Sequence, residues 1–219
     1  MNKKVSAIII VCITCFSLNS VAQKQTLKPE LSNTQNFQAI NRKVTVTNNN
    51  GKVIVHLDGK PGEGVAWLKN ISFTKGIIEF DVKGKNVLQK SFAGIAFHGI
   101  NNGTFDAVYF RPFNFQSNDA TAKKHSVQYI SMPKYDWSVL RQTHPGVYEN
   151  ALTKTVEPES WFHAKIIADD SSIKVYVNGD NEPSLVVKPI GNNTKGKIGF
   201  WVGNNSEGDF SNLTIKNNE

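Results

Sequence analysis

Short segments in which apolar and polar residues alternate follow one another along the chain from residue 43 to residue 215. Segments 43–47 and 52–57 flank the turn 48–51, and its Asn-Gly ending is typical of a β-hairpin. Alternation also predicts strands at 76–82, 92–98, 106–115, 127–131, 162–168, 173–177, 198–202 and 210–215. About ten strands with regularly spaced turns predict an all-β, two-sheet antiparallel β-sandwich of the jelly-roll type.

Helix signals are few. The stretch 135–152 has room for one helical turn, but Pro145 and Gly146 interrupt it. The chain has no glycine-rich phosphate loop and no alternation of strands with helices, which argues against nucleotide chemistry.

The first residues have the pattern of a secretory signal peptide. Lys3 and Lys4 precede an apolar run from residue 5 to residue 18, and the small residues Ser20 and Ala22 predict cleavage before Gln23. An uncleaved membrane anchor is the alternative, but spanning a bilayer takes about 20 apolar residues. We therefore expect export to the periplasm, cell surface or medium, without stable membrane insertion after cleavage.

The remaining chain is predicted to contain one domain. Residues 1–22 form the signal peptide, 23–43 are a polar segment expected to be a flexible lead-in, and 44–219 form the jelly-roll domain. Both cysteines, Cys12 and Cys15, lie in the signal peptide, so no disulfide or thiol chemistry is expected after cleavage.

The distribution of charge and the spacing of the histidines limit the kinds of partner and cofactor that are expected. Loss of Lys3 and Lys4 lowers the formal net charge from +7 to +5, and the remaining basic residues are spread out rather than clustered. This distribution argues against a nucleic-acid surface. The histidines are too scattered for a zinc motif, and although turn carboxylates could bind calcium, no EF-hand-like spacing supports such a site, so neither a metal nor another cofactor is expected.

Three longer phrases carry a family resemblance. Residues 71–82 (ISFTKGIIEFDV), 161–179 (WFHAKIIADDSSIKVYVNG) and 196–215 (GKIGFWVGNNSEGDFSNLTI) resemble strands of the concanavalin A-like lectin/glucanase superfamily. The closing phrase looks like the last strand of its laminin-G-like and 3-keto-disaccharide hydrolase groups. The resemblance implies a jelly-roll fold and a carbohydrate partner, but this scaffold serves lectins, lyases, glucanases and adhesion domains alike.

One enzymatic branch of the superfamily is tested by a short motif. Laminarinase-type glucanases share a strand with the motif Glu-x-Asp-x-x-Glu. This chain is similar in the first half of the motif, where Glu79 and Asp81 match. The third position is Gly84, so a retaining mechanism would lack its second carboxylate here.

Strand parity predicts a binding face. Val108 and Phe110 suit the core, which turns Tyr109 and Arg111 to the opposite face. By the same parity His98 and Trp201 face outward, and if these faces belong to one sheet, the four residues line one surface. The loop 135–141 would form its rim. The candidate carbohydrate-binding residues are Tyr109, Arg111, Tyr135, Trp137, Arg141 and Trp201, because aromatic rings stack on sugar C–H groups and arginines bind hydroxyls or carboxylates.

Acid–base chemistry has three candidates. His98 is the best-placed imidazole and Glu149 the best-placed carboxylate, and Asp106 could orient either of them or take part itself. Three functions remain open: a non-catalytic carbohydrate-binding domain, a small glycoside hydrolase or lyase that uses these residues, and a structural domain without a ligand.

Overall fold

The computed structural model describes residues 26–218, so the predicted signal peptide lies outside the described residues. The strands are β1 (Thr26–Leu27), β2 (Phe37–Ile40), β3 (Val44–Asn49), β4 (Lys52–Leu57), β5 (Gly64–Phe73), β6 (Gly76–Lys83), β7 (Ala93–Asn101), β8 (Thr104–Phe110), β9 (Val127–Met132), β10 (Glu149–Asn150), β11 (Phe162–Ala168), β12 (Ile173–Val177), β13 (Leu185–Val187), β14 (Gly196–Val202) and β15 (Gly208–Asn217). Two short helices, α1 (Ala120–Lys123) and α2 (Trp137–Thr143), lie on either side of β9 in the chain.

The strands form two antiparallel sheets, which confirms the predicted jelly-roll sandwich. Sheet A has the order β13-β12-β11-β6-β15-β4-β3, with β1 also paired to β15. Sheet B has the order β10-β9-β8-β7-β14-β5-β2. Neighbours in space are often distant in sequence, as when β14 lies between β5 and β7, so long-range pairing defines the fold.

Aromatic rings fill the space between the sheets. The ring of Phe200 on sheet B lies 6.4 Å from Phe80 on sheet A and stacks at 4.5 Å on Phe210. Phe110 of sheet B meets Phe162 of sheet A edge to face at 4.9 Å. Since side chains alternate along a strand, the neighbours of Phe110 and Phe200 must face away from sheet A.

The predicted lead-in differs from the structure. Residues 26–43 include β1, which pairs with β15, and β2, which pairs with β5. Phe37 of β2 is buried and lies 6.3 Å from Phe200, so the segment adds to the core despite its polar composition. The predicted helical turn near 135–152 is present as α2. Among residues 26–218, no helix has the length and apolar character needed to cross a membrane.

Candidate functional site

One row of paired residues crosses sheet B on its outer face. Glu149 pairs with Gln128, Gln128 with Tyr109, Tyr109 with Gly94, and Gly94 with Trp201. Paired residues of neighbouring strands point to the same side of a sheet, so the side chains of this row share the surface that faces away from sheet A. We call this surface, together with Arg111, the groove face.

Gly94 brings two rings of the groove face together. A Cβ atom at this position would lie 2.1 Å from the Val108 carbonyl oxygen and 2.5 Å from the Tyr109 Cα, so only glycine fits. The rings of Tyr109 and Trp201 meet above it, with their centroids 4.9 Å apart. Parity thus places Tyr109, Arg111 and Trp201 together, as the sequence predicts.

Arg111 lies at the centre of a buried hydrogen-bond network. Its guanidinium donates to the Tyr109 hydroxyl at 2.8 Å, to the His125 carbonyl oxygen at 2.8 Å and to the side-chain oxygen of Gln128. Its guanidinium carbon lies 4.9 Å from the centre of the Tyr109 ring. Because Arg111 is only 4% exposed, it supports the floor of the site more than it offers a free surface donor.

Glu149 balances the positive charge of this network. Arg141 donates to both of its oxygens, at 2.9 Å and 2.7 Å, and Arg111 lies 3.5 Å away. Burial opposes ionisation of Glu149, but hydrogen bonds from Arg141 and the charges of Arg111, Arg141 and His125 together lower the pKa of this carboxyl group. Glu149 is therefore held as an ionised counter-charge.

Two adjoining cavities open on the groove face. The first encloses about 250 Å³ and includes Glu63 and Asp136 in its lining. The second encloses about 420 Å³ and is lined on its polar side by Arg111, His125 and Arg141. Both cavities are also lined by Phe92, Trp137 and Asn204, which makes them two parts of one groove.

Trp137 stands at the junction of the two cavities and is 50% exposed. It is the first residue of α2, whose N-terminus is capped by the Asp136 side chain through a 2.8 Å hydrogen bond from the Val139 backbone N–H. The guanidinium carbon of Arg141, one helical turn later, lies 5.2 Å from the Trp137 ring. The cap and the cation–π contact hold a large ring at the groove entrance.

His98 and Asp106 are separated from this groove, contrary to the expectation that His98 shares the face of Tyr109. Asp106 has the parity of Phe110 and faces the interior. A β-bulge follows Phe97, and His98 adopts a φ of +54°, so its ring turns to stack on Phe73. Its Nδ1 lies 2.9 Å from Asp106 Oδ2 and its Nε2 lies 2.5 Å from the Thr74 carbonyl oxygen.

The candidate acid–base groups therefore do not form one site. His98 and Asp106 are 8% and 1% exposed and lie on the inner side of sheet B, whereas Glu149 lies on the outer side among arginines. The contacts of His98 fix the strand irregularity, because its two ring nitrogens bond different segments of chain.

Tyr135 lies outside the groove, since it lines neither of the two cavities described above. Its backbone bridges to Ser131, and the Lys134 ammonium lies 4.9 Å from its ring. Sequence reasoning did not single out Glu63, Phe92, Asp136, His125, Gln128 and Asn204 of the groove face and its cavities. Two of them carry a usable signal: Asp136 lies in the loop 135–141 predicted as the rim, and Gln128 lies on β9, which pairs with β8 and places it beside Tyr109.

Potential metal ligands are dispersed in the part of the chain that the structure describes. Across residues 26–218, no group of three or more His, Cys, Asp or Glu side chains is arranged to hold a metal ion.

Solved structures with a similar fold include several sugar-related proteins. The carbohydrate-binding module CBM66 from Bacillus subtilis aligns with a TM-score of 0.57 at 14% identity, covering 86% of this chain and all of that chain. The exoplasmic/lumenal domain of VIP36 in its Ca²⁺- and mannose-bound form aligns with a TM-score of 0.54 at 10% identity, covering 88% and 89% of the two chains. A native glycosidic hydrolase aligns with a TM-score of 0.52 at 17% identity, covering 89% and 96%.

At these identities the solved structures establish the fold alone. No curated protein gives a significant match to the sequence. A family model does match, the 3-keto-alpha-glucoside-1,2-lyase-like domain, and it spans residues 30–216. This match covers both sheets apart from β1 and includes the whole groove face, and the chain therefore belongs to the 3-keto-alpha-glucoside-1,2-lyase-like domain family.

Proposed function

We propose that this domain binds an oligosaccharide in the groove on the outer face of sheet B. The observation that carries the proposal is the half-exposed ring of Trp137 at the junction of two cavities. An exposed indole beside polar groups suits a sugar, because the ring stacks on C–H patches while neighbouring donors and acceptors bind the hydroxyls.

The two cavities supply those polar groups. Arg141 and His125 line the larger cavity as hydrogen-bond donors, and Glu63 and Asp136 line the smaller one as acceptors. Asn204 lines both and provides donor and acceptor atoms together. The aromatic floor of Tyr109 and Trp201 lies beneath this polar rim.

The solved structures and the family add independent support. Among the proteins with a similar fold, one is named as a carbohydrate-binding module and another was solved with mannose. A binding role needs only the groove. A hydrolase or lyase role that used His98 or Asp106 with Glu149 would need groups from the two sides of sheet B to meet at one sugar, which favours binding over that alternative.

The test is a glycan array followed by calorimetric titration with the best glycan. Trp137→Ala is expected to weaken binding at least tenfold, about 1.4 kcal/mol, because the stacking platform is lost. Trp161→Ala is the matched control, since Trp161 lies on the outer surface of the opposite sheet with the Lys52 ammonium 3.9 Å from its ring. Equal losses in both variants, or no glycan bound by the unmodified protein, would overturn the proposal.

We also propose that the domain acts outside the cytoplasm, because residues 1–22 have the signal-peptide pattern. N-terminal sequencing of the protein recovered from the periplasm or the medium should begin at Gln23. Recovery of the full-length chain in the cytoplasm alone would contradict export.

A further inference from the structure

The smaller cavity contains two carboxyl groups that face the same space. Glu63 directly precedes β5 and lies two residues before Val65, the strand partner of Trp201, so it projects on the groove face. Asp136 reaches the cavity from the start of α2. Both carboxyl groups line this one cavity, and the negative charge of Asp136 opposes ionisation of Glu63.

The two carboxyl groups differ in their surroundings. Burial, with a contribution from Asp136, raises the pKa of Glu63. Burial also opposes ionisation of Asp136, but hydrogen bonds from the Val139 backbone N–H and from Ser138 outweigh it and lower the pKa of this group. The hydrogen bonds from the Val139 backbone N–H and the Ser138 hydroxyl both go to Asp136 Oδ1.

Trp201 adds a polar atom that lacks a partner. The residue lines the cavity and is only 5% exposed, yet among residues 26–218 its indole N–H has no hydrogen-bond acceptor. The Trp201 N–H lies near the Glu63 carboxyl group and lowers its pKa, but the contact does not meet the geometry of a hydrogen bond. A buried donor without an acceptor costs free energy, so a ligand that realigns this corner of the cavity would recover it.

The backbone beneath the cavity is fixed. Arg42 is buried and donates to the carbonyl oxygens of Gly62 and Gly203 at 2.7 Å and 2.8 Å. Gly62 directly precedes Glu63 in the chain, and Gly203 lines the same cavity as Glu63. The carboxyl group of Glu63 is thus carried by a segment that two hydrogen bonds hold in place, which favours a preorganised site.

We propose that this cavity is a subsite for one neutral sugar ring, bound through its hydroxyls by Glu63, Asp136 and the indole N–H of Trp201. The inference rests on the proposed function of the groove and deepens it. About 250 Å³ lies just below the range of drug-sized pockets and suits a single ring. Two carboxyl groups accept hydrogen bonds from hydroxyls, while they repel the carboxylate of a uronic acid.

The test uses pairs of methyl glycosides that differ only at C6: glucose with glucuronic acid, galactose with galacturonic acid, and mannose with mannuronic acid. Affinities are measured by NMR titration of the exported protein, which is expected to begin at Gln23. At least one neutral glycoside should bind, and its uronate partner should bind at least tenfold more weakly. Uronates that bind as well as the neutral sugars in every pair, or no binding by any neutral sugar, would overturn the subsite.

The double variant Glu63→Gln with Asp136→Asn assigns the effect to this cavity. Asparagine preserves the helix cap, so α2 should stay intact. The neutral glycoside should bind at least tenfold more weakly and the discrimination against its uronate should disappear. If the double variant behaves like the unmodified protein while Trp137→Ala fails to bind oligosaccharides, the subsite is wrong and the groove proposal stands.

The unmodified protein offers a second readout, in which variants serve only to assign signals. The four tryptophan indole N–H signals can be assigned with Trp→Phe variants in ¹⁵N-labelled protein. Saturation with the neutral glycoside should shift the Trp201 signal and leave the Trp161 signal in place. An unmoved Trp201 signal at saturation would contradict the proposed contact.

Discussion

Each sheet carries on its outer face a carboxylate that contacts basic side chains, but the two settings differ. On the groove face Glu149 is 5% exposed and faces Arg111, Arg141 and His125 beneath an aromatic groove. On sheet A, Asp81 meets Lys52 at 3.2 Å and His163 at 3.0 Å, and both cations are substantially exposed. We call this second surface, defined by Glu79, Asp81, His163 and Lys52, the charged face.

The comparison shows that charged groups are buried on the groove face and are more exposed on the charged face. Exposed ion pairs add little stability and can form on any solvated sheet, so the charged face needs no function to explain it. A buried arginine loses its hydration, and hydrogen bonds and a counter-charge must offset that cost. The groove face carries that cost next to the two cavities, which is why we place the binding site there.

Removal of the central carboxylate on each face gives the largest expected contrast. Glu149→Gln keeps the shape of the side chain but leaves the buried Arg111 without its counter-charge, which should destabilise the fold by about 3 to 5 kcal/mol. Asp81→Asn should cost less than about 1 kcal/mol, because its partners reach solvent. Urea unfolding at neutral pH measures both, and similar costs on the two faces would break the comparison.

Gly94→Ala sharpens the comparison by testing how closely the groove face is packed. The added methyl group meets the Val108 carbonyl and the Tyr109 backbone, which cannot move as a flexible side chain would, so we expect a loss of about 1 to 3 kcal/mol. Gly103→Ala is the control, because its Cβ would meet only Asn101 Oδ1 at 3.9 Å. Thermal unfolding of both variants measures the difference. If Gly94→Ala unfolds at the same temperature as the unmodified protein, the close approach of Tyr109 and Trp201 is contradicted.

The smallest expected effect is on the charged face, where the stability of the fold should depend on pH. A hydrogen bond to Asp81 raises the pKa of His163, so its contribution is present below the unfolded value of about 6.5 and is lost as pH rises through the folded pKa. Burial opposes ionisation of Asp81, but hydrogen bonds from His163, Asn212 and Lys52 lower its pKa, so its contribution is lost as pH falls through the folded value.

His163→Gln tests this window. The melting temperature should fall relative to the unmodified protein mainly between about pH 4 and pH 6.5, and the difference should shrink above the folded pKa of His163. A constant difference from pH 5 to pH 9 would indicate lost packing instead of a lost charge.

The sequence predicts strands well where alternation is clean and fails where it is not. The strands β11 and β12 lie at the predicted bounds because every second residue is buried, and β4 lies at its predicted bounds although only Val55 and Leu57 are buried. β5 was missed, since residues 64–68 are all buried and show no period of two. β1 and β2 were missed because their side chains are mostly polar or exposed, and their backbone pairing leaves no mark on composition.

The same physics decides which site residues were predictable. Tyr109, Arg111 and Trp201 follow from parity, because β8 and β14 run regularly past them. His98 does not, because the bulge after Phe97 shifts the register, and a shift by one residue turns a side chain to the other face. Glu63 lies in a turn rich in glycine and proline, where the pattern carries no information about direction.

The most direct test of the central claim is a crystal structure of the domain with the best glycan from the array. The account predicts a sugar ring stacked on Trp137 in the groove on sheet B, with the neighbouring ring in the cavity of Glu63 and Asp136. A sugar bound on the charged face of sheet A, or beside His98 at the end of the sandwich, would contradict it.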